Sequence, residues 1–440
     1  MDRYRSDVPS IKSSRVVLDG EIRPATIMFG EGVVVDVGAG PADRDYGDKV
    51  IMSGLVDSHV HVNEPGRTDW EGFATATRAA AAGGTTTIVD MPLNSVPPTV
   101  SIQALAAKRY AAEGKISVDV AFWGGYIPGS ESQIRGLAEQ GVCGFKSFLV
   151  DSGVPEFPPV SVDELRDAMK TMATLGVPAL VHGEEHSAFE EHKGDARSYG
   201  SYLASRPADS EARAVEVVAE LSEQTGAAAH VLHVSSGDSV GVLARGPETL
   251  TGETCPHYLT FSSSEIPDGA TQFKCSPPIR EASHREALWE GLRKGTLAMV
   301  VSDHSPAPAD LKELDSGSFE SAWGGIASLQ IRLPATWNGA TERGFDPADL
   351  AEWLSAAPAR LAGLDDRKGS IDVGKDADFV VWDPDGETDV RGIDLQHRHP
   401  ITPYEGMRLR GRVLATILHG ETICEDAAVT DGRGRMLARR

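Results

Sequence analysis

The sequence predicts an α/β protein, a (β/α)8 barrel of the TIM type beside a small composite β-sandwich formed by both chain ends. Two observations carry this. From Val50 to Ser305, eight short apolar runs alternate with Ala-, Glu- and Arg-rich stretches, the signature of βα units around a parallel sheet. At either end of the chain, short β-like runs alternate instead with glycine turns. The expected units are 1–52 with 370–440 for the β-domain and 53–369 for the barrel. A chain of 440 residues exceeds what one small core uses and accommodates both.

Taken in order, RVVLDG, ATIMFG and VVVDVGAG read as a small antiparallel unit. The eight barrel runs are VIMSGLV, TTTIVDMP, VDVAFWGG, CGFKSFLV, PALVHGE, AAHVLHVSS, TGETCPHYL and LAMVVSDHS. A helix is predicted after Ser161, in SVDELRDAMKTMATLG. Near Gly369 the short strands return, in GSIDVGKDADFVVWDPDG and LRGRVLATILHG. The proline-rich spots VPPT, EFPPVS and SPPIR read as loop turns.

Composition narrows the function classes. The net charge is −23 with dispersed acidic residues, so the basic footprint of a nucleic-acid or anionic-membrane partner is missing. No apolar run approaches the ~20 residues of a membrane helix, and MDRYRSDVPS has no signal-peptide core. A cytoplasmic location is expected. Cys143, Cys255, Cys275 and Cys424 form no C-x-x-C pair, and read as buried small hydrophobes in a reducing compartment.

In this fold the catalytic side chains stand at the C-terminal ends of several strands. The first run leads into VDSHVHV, where His59 and His61 lie two apart and share a face. Alone, such a pair equally suits two polar residues at a solvated strand end. The fifth run ends in His182, the sixth in His233, the eighth in Asp303. By alternation His230 faces behind the sheet and His304 turns away from Asp303. His186 lies past its strand, and His257, next to Pro256, reads as supporting the ligands or as structural. His192, His284, His397, His399 and His419 read as surface residues. Imidazole and carboxylate without thiolate suit zinc or another divalent first-row metal. Five such ligands exceed one tetrahedral site, which implies two ions about 3.5–4 Å apart.

Two close dications need a bridging anion. On the fourth run Lys146 lies inside apolar GFKSFL, where burial and like charge depress an amine pKa. A neutral amine there takes up carbon dioxide to become a carbamate, a bidentate anionic ligand. An isolated lysine would instead bury its stem and keep its head in solvent.

The ordered set HVH, GFK, LVHGE, LHVSS and SDHSP resembles the amidohydrolase superfamily, specifically the cyclic amidohydrolases with a carboxylated lysine. Within that group, HVHVNEPGRTDWEGFATATRAAAAGGTTT, DMPLNSVPPTV, CPHYLTF, KCSPPIR, VSDHSPAP and AWGGIASLQ look most like bacterial allantoinases. The resemblance implies His59 and His61 on one metal, His182 and His233 on the other, Lys146 as carbamate bridge and Asp303 on the first metal. It implies zinc first, with manganese, cobalt, iron or nickel as alternatives, a small cyclic amide substrate, and a homo-oligomer, by analogy a tetramer. It further implies hydrolysis of the allantoin ring amide to allantoate, with Asp303 moving the proton. Asn94 and backbone groups near Ser276 are the expected substrate contacts, and Trp323 reads as loop packing.

Two departures bear on the sister families. Dihydroorotases have an arginine two residues after H-x-H, where this chain has Asn63. Hydantoinases and dihydropyrimidinases have a tyrosine shortly after the bridging lysine, where this chain reads SFLVDSGVP. A broad-specificity hydantoinase is the alternative enzyme. A non-catalytic scaffold is the alternative from another class, and such relatives lose metal ligands.

Overall fold

The computed structural model describes residues 8–191 and 193–440; His192, expected at the surface, lies outside them. The barrel strands follow in chain order as Leu55–Val60, Thr85–Asp90, Asp119–Phe122, Phe145–Phe148, Ala179–His182, Ala229–Val231, Leu250–Thr254 and Met299–Val300. Their mutual pairings are parallel. First and eighth strands meet through a parallel bridge between Val60 and His304, where the His61 N–H donates to the His304 carbonyl at 2.8 Å. The helix expected after Ser161 spans Val162–Leu175. Ser161 and Glu164 cap it reciprocally, and Gly176 ends it at φ 66°.

One expectation fails at the first run. VIMSGLV is not one strand but two, parted at Gly54. Val50–Ser53 pairs with Phe379–Trp382 and with Arg15–Val16 in the β-domain, while Leu55–Val60 enters the barrel. A Cβ on Gly54 would stand 2.3 Å from Thr86 Oγ1, so only glycine lets the backbone cross between the two sheets here.

Both chain ends join one nine-stranded mixed sheet. Val33 bridges back to Asp376, which curls the sheet around Ile11, Val16, Ile27, Phe29, Phe379, Val381 and Ile417. Between this sheet and the third barrel strand lies a buried ionic cluster. Lys368 Nζ stands 2.6 Å from Asp119, 2.6 Å from Asp378 and 2.8 Å from Asp376, and His419 Nε2 is 3.0 Å from Asp119. His419 therefore turns its ring into this cluster, and is not the surface residue its sequence context suggests. Truncating one partner of a buried ion pair leaves uncompensated charge. Lys368→Met is expected to destabilise the fold by about 3–5 kcal/mol. An unchanged chemical-denaturation midpoint would show that the cluster contributes nothing.

Candidate active site

The site is built where the strands stop. His233 and Asp303 follow their strands with φ of 38° and 43°, a left-handed turn that non-glycine residues adopt only when surroundings enforce it. Below them, Asp57 accepts from the N–H groups of His59 (3.2 Å) and Ser302 (3.2 Å), which locks the first strand to the eighth.

Six expected residues meet at the mouth, all of them buried: His59, His61, Lys146, His182, His233 and Asp303. Asp303 Oδ1 is 3.1 Å from His59 Nε2 and 3.5 Å from His61 Nε2. Lys146 Nζ is 3.4 Å from His59 Nε2, and His182 Nδ1 is 3.0 Å from His233 Nε2.

Three of the rings are oriented by a partner on their other nitrogen. Glu253 holds His59 Nδ1 at 2.5 Å, Glu184 holds His182 Nε2 at 2.7 Å, and the Asn94 amide lies 3.3 Å from His61 Nδ1. Arg206 in turn holds Glu184 at 2.7 Å. His233 Nδ1 is buried without a hydrogen-bond partner among the described residues. Glu253, Glu184 and Arg206 were not singled out in the sequence. The signal available was a glutamate inside the apolar seventh run and another two residues after His182.

Burial pushes His61 down to about 3, with Lys146 adding to the effect, and lowers His182 and His233 as well. These are neutral imidazoles, the form a metal binds. Burial also opposes protonation of His59, but Asp303 and Glu253 outweigh it and raise its pKa. Burial opposes ionisation of Asp303, yet His59, His61 and His233 hold it well below the usual carboxylate range. Burial brings Lys146 down to about 8.

These donors fit divalent metal. His59, His233 and Asp303 offer ligand atoms within 4.8 Å of one another, and the rings braced by carboxylates match the usual support of metal-binding histidines.

His230 corrects the alternation argument. Its Nε2 is 3.1 Å from Glu253, the same carboxylate that holds His59. It therefore lies inside the barrel beneath the site, not behind the sheet. The strand ends at Val231, and the turn at His233 breaks the two-residue period. His304 does turn away, its Nε2 3.2 Å from Glu71. His257 is buried, within 4.8 Å of Asp303, and both its ring nitrogens lack hydrogen-bond partners among the described residues. His397, expected at the surface, is buried with its ring 5.6 Å from that of His304. His284 is half-buried and accepts from the Gly237 N–H at 2.9 Å.

The cavity over the cluster measures about 550 Å³ and is lined by His61, Asn94, Ser276, Trp323 and Tyr202 among others. Ser276 Oγ is 3.0 Å from the Tyr202 hydroxyl, which itself donates to the Cys275 carbonyl at 2.7 Å. Trp323 packs edge-on against Trp70 at 4.8 Å. The free cysteines are all buried.

Known proteins resemble this chain in sequence and in shape. The allantoinase of Streptomyces avermitilis is 46% identical over 99% of both chains. That of Arabidopsis thaliana is 45% identical, covering 86% of this chain and 78% of its own. The solved structure of the L-hydantoinase (dihydropyrimidinase) from Arthrobacter aurescens superposes with a TM-score of 0.91 at 29% identity, covering 98% of this chain and 99% of that one. The Amidohydrolase family model matches residues 50–423, from the last strand before the barrel through the returning β-domain, and the chain belongs to that family.

Proposed function

We propose that this chain is an allantoinase, opening the hydantoin ring of allantoin to allantoate. The observation that carries the reaction class is the convergence of His61, His182, His233, Asp303 and Lys146 at one cavity floor, with His59 in contact just beneath it. The end-to-end similarity to allantoinases supports the substrate.

His59 and His61 would hold one divalent ion, His182 and His233 the other, with carboxylated Lys146 between them and Asp303 on the first. Zinc is the favoured metal, and manganese, cobalt, iron or nickel suit the same donors. Such ions supply an activated water and a Lewis acid for a ring carbonyl. Asp303 accepts the proton of the attacking water and returns it to the ring nitrogen as the C–N bond breaks. Asn94 steadies His61 and faces the cavity, and the backbone about Ser276 offers uncharged donors and acceptors to the ring. The barrel, 53–369, carries the site, and 1–52 with 370–440 form the β-domain. A homotetramer is proposed by analogy with the family, and a cytoplasmic location from the composition of the sequence. No helix among the described residues is long and apolar enough to cross a membrane.

A broad hydantoinase is the second reading, favoured by the shape match. Against it stands the absent tyrosine after Lys146, with Tyr202 supplying a hydroxyl from a different helix, Tyr199–Ser205. Asn63, buried where dihydroorotases keep arginine, offers no charge for a substrate carboxylate. A scaffold role is disfavoured because all six candidates are retained.

The deciding measurement is kcat/KM for allantoin, hydantoin, dihydrouracil and dihydroorotate, with bicarbonate and zinc, manganese or cobalt supplied. Allantoin is expected to lead. A higher value for dihydrouracil or dihydroorotate would overturn the assignment.

A further inference from the structure

One wall of the cavity is a long irregular segment that follows Asp303 and contributes Glu320, Ala322, Trp323 and Gly324. It faces Lys274–Ser276, the stretch proposed to meet the substrate ring. Loop backbone with so many carbonyls needs donors to fix it.

The donor at its heart is Lys312, 2% exposed and absent from the cavity lining. Its Nζ donates to the carbonyls of Gly325 (2.8 Å), Trp323 (3.0 Å) and Lys274 (3.3 Å). A lysine ammonium has three N–H donors, and three carbonyls meet it, two from the loop and one from the facing segment that follows the 3-10 turn Thr271–Phe273. The neighbouring bonds join the same parts. The Gly325 N–H donates to the Lys274 carbonyl at 2.8 Å, the Trp323 N–H to the Leu311 carbonyl at 2.7 Å, and Lys274 Nζ to the Ala322 carbonyl at 2.6 Å. At Gly325, φ 157°, a Cβ would stand 2.2 Å from the Ser305 carbonyl oxygen, so the path allows no side chain there.

We infer that Lys312 is a positioning residue for substrate recognition, fixing the Trp323–Gly325 wall against Lys274–Ser276 from behind. Its bonds go to backbone carbonyls and to none of the six side chains at the cavity floor. A neutral ring gripped only by hydrogen bonds depends on the placement of donors and acceptors to fractions of an ångström. Loosening the wall therefore weakens binding of substrate more than it slows the chemistry.

This inference rests on the site being the hydrolytic one, and its test is separable from that reading. Wild-type turnover in the substrate panel judges the reading. The Lys312 experiment then uses whichever panel substrate the wild type hydrolyses best. Lys312→Met and Lys312→Gln are compared with wild type for KM, kcat and bound metal. Lys312→Met is expected to raise KM about tenfold or more, with kcat within about threefold and metal content unchanged. Lys312→Gln keeps two N–H donors and should fall between the two. A KM within twofold of wild type in both variants, even with a lowered melting temperature, would reduce Lys312 to a structural strut and overturn the inference. So would loss of metal with parallel loss of kcat. If Lys312→Met does not fold, the Gln variant alone decides by the same split between KM and kcat.

Discussion

Asp303→Asn is expected to leave a folded, metal-loaded protein that no longer turns over. The substitution keeps the shape of the side chain and one oxygen for His59 and His61, whose Nε2 atoms lie 3.1 and 3.5 Å from the carboxylate. What it removes is a proton acceptor, since an amide oxygen is far too weak a base to take a proton from attacking water. General acid–base groups contribute typically ~10²–10⁴-fold. Because the proposed role of Asp303 is both base toward water and acid toward the leaving nitrogen, the loss in kcat should sit at the upper end of that range or beyond it. Metal analysis and circular dichroism on the same sample separate this outcome from misfolding or loss of ligation. Near-normal kcat in a folded, metal-loaded variant would remove Asp303 from the chemistry.

The placement of these groups shows what a one-dimensional reading captures. His59, His61, His182 and Asp303 are legible because each follows an apolar run, and barrel geometry brings the C-terminal ends of parallel strands together. Lys146 is legible because a lysine inside GFKSFL conflicts with its surroundings, and such conflicts cluster at functional positions.

The misreadings have a common physical origin. Alternation is a property of extended backbone, and it fails where the strand ends. His230 was assigned to the wrong face because the count ran on through a strand that stops at Val231. VIMSGLV looked like one strand because an apolar run carries no mark of which sheet receives it. Only the close approach of Gly54 to Thr86 divides it. Lys312 is invisible for another reason. Its partners lie 11–38 residues away, and no local pattern separates a charged residue that orients a loop from one on the solvated surface. His397 and His419 read as surface residues because they follow no buried run at a barrel position, and packing between the barrel and the β-domain buries both side chains.

Lys146 carries the largest expected loss. Its amine is buried, 3.4 Å from His59 Nε2, and burial lowers its pKa to about 8 against the opposing pull of Asp303 and Glu253. A neutral fraction of about a tenth at pH 7 is therefore available to attack carbon dioxide, forming the N–C bond and releasing a proton. The resulting carbamate would be an anion with two oxygen donors, which is what the imidazoles and a single carboxylate do not supply. Lys146→Ala should lose metal occupancy and activity together, and Lys146→Arg should fare no better, because a guanidinium stays protonated and is not carboxylated. Adding a short carboxylic acid to Lys146→Ala should restore part of the activity, its free carboxylate filling the gap left by the side chain. Electron density supplies the direct test, since the carbamate adds three non-hydrogen atoms beyond Nζ. A well-ordered, metal-loaded crystal structure with Lys146 as a bare amine pointing away from the ions would refute this assignment, and full metal occupancy in Lys146→Ala would refute it independently.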